Sequence, residues 1–102
     1  MTGRPGIAES AQTDAALLAA SARREAAAFA ELVNRYYKPV YRVVWRMTGG
    51  HADSEDIAQE AFVKLWRDPS QVREAGALKG WLMRVASNAV IDRSRKPKHS
   101  DI

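Results

Sequence analysis

From residue 29 to residue 90 the apolar side chains recur at steps of one, three and four, and that spacing constrains the fold more than any other feature. Phe29, Leu32, Val33, Tyr36 and Tyr37 form one stripe, and Val40, Val43, Val44 and Met47 form a second. Ile57, Ala58, Ala61, Phe62, Leu65 and Trp66 make a third, and Trp81, Leu82, Val85, Ala86, Ala89 and Val90 a fourth. Each stripe gives a helix one face to bury, whereas a strand needs strict alternation, which is absent. The expected fold is all-α, a compact bundle of about four to five helices.

Local signals set the boundaries. Thr13 or Asp14 can cap a first helix running from Ala15 to about Ala22, rich in alanine and leucine. Pro39 lacks an N–H and its ring crowds the preceding turn, so the chain is expected to bend or restart there. Gly49-Gly50 stops the following helix. The next helix opens at residues 51–54 and runs to about Arg67, where Asp68-Pro69-Ser70 ends it. Asp53, Glu55 and Asp56 fall in its first turns, where the helix dipole favours negative charge. After a loop of about ten residues the last helix starts near Ala77 and continues to about Lys96, before Pro97. Residues 1–12 are expected to be a flexible tail, 13–96 the helical domain and 97–102 a linker.

The chain has 102 residues, enough for one domain and one core. It contains no cysteine, which excludes disulfides and thiolate chemistry. No apolar run approaches the roughly 20 residues that span a bilayer. The start, Met1-Thr2-Gly3-Arg4-Pro5, lacks the apolar stretch of a secretory signal, so a cytoplasmic protein without membrane insertion is expected. The net charge of +4 says less than its distribution. Residues 52–63 carry four acids (Asp53, Glu55, Asp56, Glu60) and no Lys or Arg; residues 79–98 carry six bases against Asp92 alone. An acidic helix and a basic one suggest two different partners.

No catalytic arrangement stands out. His51 and His99 are far apart, in polar settings without metal-ligand spacing. Asp53, Asp56 and Glu60 lie on one helical face with no opposing ligand set, and Gly49-Gly50 and Gly76 match no phosphate-cradling loop. Neither an enzyme nor a cofactor is expected.

Residues 52–66, Ala-Asp-Ser-Glu-Asp-Ile-Ala-Gln-Glu-Ala-Phe-Val-Lys-Leu-Trp, closely resemble region 2.2 of the extracytoplasmic-function sigma factors of bacterial RNA polymerase. Residues 80–95, Gly-Trp-Leu-Met-Arg-Val-Ala-Ser-Asn-Ala-Val-Ile-Asp-Arg-Ser-Arg, resemble their regions 2.3 to 2.4. Upstream, residues 28–33, Tyr36-Tyr37-Lys38-Pro39 and Tyr41-Arg42 resemble the opening of the same domain. The resemblance covers about residues 14–96. It implies a helical module that recruits core polymerase and melts the promoter −10 element, with an anti-sigma factor as a further partner. It also implies a second domain, region 4, toward which 97–102 would lead and which this sequence does not include.

The resemblance assigns roles to named residues. Asp53, Asp56, Gln59, Glu60 and Val63 would dock on the clamp helices of the polymerase β′ subunit, with the acids steering the encounter. Lys79, Arg84, Arg93, Arg95 and Lys96 would neutralise phosphates, gaining free energy from released counterions. Asn88, with both a donor and an acceptor, would read a flipped non-template base in a pocket lined by Val72 and Leu78. Asp92 is expected to serve as an internal ion-pair or capping partner. Trp66 and Trp81, and mainly also Trp45, Tyr36, Tyr37 and Tyr41, are assigned to packing. A second reading is a sigma-like protein-interaction module that engages a regulator without melting DNA.

Overall fold

The computed structural model describes residues 12–95. Residues 1–11 and 96–102 lie outside the described residues, and with them all of the expected tail but Gln12, the whole expected linker, Lys96 and His99. Four α-helices are present there: α1 (Asp14–Ala22), α2 (Ala26–Thr48), α3 (Ser54–Arg67) and α4 (Leu78–Arg95). Two short 3-10 turns, Pro69–Gln71 and Ala75–Ala77, join α3 to α4. The long α2 packs against each of the other three helices, and α3 packs on α4.

A side-chain cap at Thr13 starts α1 and a backbone closure at Gly49-Gly50 ends α2 where the sequence suggests. Thr13 Oγ1 accepts from the Ala16 amide at 3.0 Å, capping α1. At the end of α2, Gly49 and Gly50 both take left-handed backbone (φ +71° and +82°). The Gly50 amide reaches the Trp45 carbonyl at 2.8 Å and the Gly49 amide the Arg46 carbonyl at 3.3 Å, the paired closure of a Schellman motif. Thr48 and Ser54 then join their hydroxyls at 2.8 Å across the turn into α3, where Ser54 also donates to the His51 carbonyl.

Pro39 does not divide the chain. The single helix α2 runs 23 residues through it, where a bend or restart was expected. Leu32 on one side of the proline and Val40 and Val44 on the other are fully buried in the same core. Burying a Leu or Val side chain is worth roughly 1.5–3 kcal/mol each, which together exceeds the roughly 3 kcal/mol cost of an interior proline.

The core joins all four helices through Leu17, Leu32, Val40, Ile57, Leu65, Leu78 and Leu82. Asp14 fastens α1 to α2: its carboxylate accepts from Arg35 Nη1 at 3.1 Å and from the Tyr36 hydroxyl. Arg24, in left-handed backbone at φ +65°, lies 4.0 Å over the Trp66 ring and donates to the Trp66 carbonyl at 2.8 Å. Trp66 also packs on Phe29, with ring centroids 4.9 Å apart, and Trp81 is buried, so both tryptophans serve packing.

Candidate functional site

The five candidate residues at and along α3, Asp53 standing just before it, divide between two faces. Asp56, Gln59 and Val63 follow one another at steps of three and four along the outward face, and all three are exposed. Asp56 makes no ion pair among the described residues. Asp53 and Glu60, seven residues apart, turn instead toward α4. There Arg93 donates to Glu60 Oε1 at 3.4 Å and lies 3.7 Å from Asp53 Oδ2. Glu60 also pairs with Lys64 at 3.6 Å.

This clasp ties the acidic and basic helices together within the fold. Arg93, one of the expected phosphate contacts, is partnered within the fold by two of the expected polymerase contacts. Its side chain is 40% exposed and those of Asp53 and Glu60 54% and 35%, so solvent screens the contacts and each is worth at most about 1 kcal/mol. Asp92, expected to be an internal partner, is exposed and makes no ion pair among the described residues.

The outward face of α3 continues into an apolar cleft of about 460 Å³ between α2 and α3. Gln59 and Val63 line it together with Phe29, Val33, Tyr37 and Trp66. The α2 contribution was missed from the sequence because Phe29, Val33 and Tyr37 sit within a stripe that reads as core. Their own step of four sets them beside the fully buried Leu32, Val40 and Val44, and that offset was the available signal.

A second cleft, of about 390 Å³, lies where the connecting loop meets the first turns of α4. Gln71, Val72, Arg73 and Glu74 line one side, and Gly80, Trp81 and Arg84 the other. Val72 is largely buried but borders the opening. Leu78 does not: it is fully buried in the core, because as the first residue of α4 it lies one turn below Leu82 on the inward face. The apolar wall expected from Leu78 comes instead from Trp81. The loop holds its shape through Asp68, whose side chain accepts from the Ser70 amide at 3.2 Å.

Asn88 does not line this cleft. It lies one turn beyond Arg84 on the same exposed stripe of α4, and no hydrogen bond engages its amide among the described residues. Lys79 and Arg84 are exposed and free of ion pairs there, and Arg95 is the last residue of α4. No helix among the described residues is long and apolar enough to cross a membrane.

Comparison with known proteins places this arrangement. Residues 32–99 match the family described as Sigma-70 region 2. The ECF RNA polymerase sigma factor SigW of Bacillus subtilis is 39% identical over 71 residues, covering 70% of this chain and 38% of that protein. The ECF RNA polymerase sigma factor SigE of Mycolicibacterium smegmatis is 36% identical over 66 residues, covering 65% and 25%. The ECF RNA polymerase sigma factor SigK of Mycobacterium bovis is 35% identical over 96 residues, covering 93% and 50%. The chain therefore spans half or less of the length of these relatives. No solved structure matches. On the match across two thirds of its length, with α3, the cleft-bearing loop and α4 all inside it, the chain belongs to the Sigma-70 region 2 family.

Proposed function

We propose that this chain is a non-enzymatic transcription-initiation module that binds core RNA polymerase and opens promoter DNA at the −10 element. Asp56, Gln59 and Val63, with the adjoining apolar cleft, dock on the β′ clamp helices. Exposed acid and amide groups beside an apolar groove suit a helical partner that carries cations around an apolar centre. Asp53 and Glu60 join that contact once Arg93 lets go of them. The partner implies a cytoplasmic setting, and an anti-sigma factor would act by covering the same surfaces.

DNA opening is assigned to the other side of the molecule. A base that leaves the stack loses a few kcal/mol and regains it in a pocket that covers its faces and satisfies its edge. The observation that carries this reading is the cleft between the connecting loop and α4. It offers the Trp81 ring and Val72 as apolar walls, with unpaired Arg84 on its rim and the unengaged Asn88 amide one turn on. Arg84 and Lys79 hold phosphate, which positions the strand without reading it. Asn88, one turn beyond the cleft, reads the edge of a base that projects from it along α4.

Binding of single-stranded −10 DNA, titrated with salt, tests the assignment. Asn88→Ala should weaken −10 DNA by about tenfold and leave a scrambled strand unchanged, in line with the roughly 1–3 kcal/mol of one good base contact. Equal losses on both strands would remove Asn88 from base reading. One observation favours the rival reading, a module that binds a regulator and does not melt DNA: Arg93 is engaged by acids of its own fold. No measurable affinity for either strand would support that rival.

A further inference from the structure

On the solvent face of α2, Trp45 and the cations beside it are used by neither packing nor polymerase docking. Trp45 is 47% exposed, although its place in the apolar pattern assigns it to packing. It ends a row of rings at steps of four: Tyr37 and Tyr41 stack with centroids 5.9 Å apart, and Tyr41 and Trp45 are also 5.9 Å apart. Beside that row, one residue on in each case, stand Lys38, Arg42 and Arg46. All three are exposed and make no ion pair among the described residues. Tyr41, Arg42, Trp45 and Arg46 together border a shallow cleft of about 300 Å³. Gly50 lets the indole lie against the turn, since a Cβ there would come within 2.9 Å of Trp45 Cζ2.

A row of unmatched cations calls for a polyanion, and the exposed Trp45 ring beside it, backed by the half-buried Tyr41, calls for a flat apolar face. A duplex offers phosphates but keeps its base faces stacked. An unpaired strand offers both. We infer that the outer face of α2 is a second binding surface for single-stranded nucleic acid, in which Trp45, supported from behind by Tyr41, stacks on a base while Lys38, Arg42 and Arg46 hold phosphates. This surface is separate from the cleft at α4 and stands without the base-reading assignment of Asn88.

Oligo(dT) labelled for fluorescence anisotropy tests it with the whole chain, because that strand has neither a duplex nor a −10 sequence. Trp45→Ala should weaken binding about tenfold, the loss expected for one stacked base. Arg42→Gln with Arg46→Gln should lower the slope of log affinity against log salt by about 1.4, roughly 0.7 for each phosphate contact removed. Arg67→Gln, which removes an exposed charge at the end of α3, should change affinity less than twofold. Circular dichroism confirms that each variant stays helical. The inference is overturned if the unaltered chain does not bind oligo(dT) at low salt, or if Trp45→Ala binds it within twofold of the unaltered chain. It is equally overturned if Trp45→Ala keeps oligo(dT) and loses core polymerase.

Discussion

Single residues carry more than packing in this fold. The Tyr36 hydroxyl donates to Asp14, and that bond, then burial and the Asp14 charge, push its pKa from 10.0 up to about 12. The sign follows from linkage: the unfolded phenol ionises near 10, so the contribution is complete below that pH and drains away as pH climbs toward 12. Chemical denaturation between pH 9 and pH 12 should show stability falling, and Tyr36→Phe should flatten that fall while costing roughly 1–2 kcal/mol at neutral pH. Ser21 is the opposite case. Its hydroxyl is fully buried and has no hydrogen-bond partner among the described residues. Ser21→Ala removes a polar group that gains nothing from burial, and should raise the melting temperature by several degrees, about 1 kcal/mol in a domain of this size. A lowered melting temperature would mean that the hydroxyl is satisfied in solution.

At the scale of elements, what could be read in the sequence was what local chemistry decides. Thr13 caps α1, Gly49-Gly50 closes α2 and Asp68-Pro69 ends α3, each by a contact within a few residues. What could not be read depended on distant partners. The helix through Pro39 is held together by core side chains on both sides of the proline. Leu78 falls at the start of the expected last helix, but only the packing of that helix shows that it points into the core and away from the cleft. Trp45 belongs to the apolar pattern by spacing, yet no neighbouring helix covers it. If packing holds α2 together against its proline, Pro39→Ala should keep the helix whole and stabilise the domain by about 1 kcal/mol, less than the full proline penalty because two partly buried methylenes are lost. Thermal unfolding measures this, and a destabilised variant would show that the proline is accommodated at no cost.

For the molecule as a whole, the two charged regions are neighbours, because α3 packs on α4. The chemistry of α3 and α4 was legible as acidic and basic runs at helical spacing. The clasp was not, because Arg93 lies 33 residues beyond Glu60 and reaches it only through the packing of α3 on α4. Arg93→Ala should therefore change stability by less than about 1 kcal/mol, since the pairs are exposed. It should also speed association with core polymerase at low salt by freeing Asp53 and Glu60, an effect that disappears as salt rises. Stopped-flow association at two ionic strengths separates that outcome from a purely structural role, in which the rate would not change at either.

The most direct test of two working sides is the affinity of this chain for core RNA polymerase when each side is altered in turn. Asp56→Arg should weaken attachment by at least about tenfold, and Asn88→Ala should leave it within twofold. Attachment that survives Asp56→Arg, or is lost with Asn88→Ala, would contradict the assignment of polymerase to the outward face of α3 and of DNA to the loop and α4.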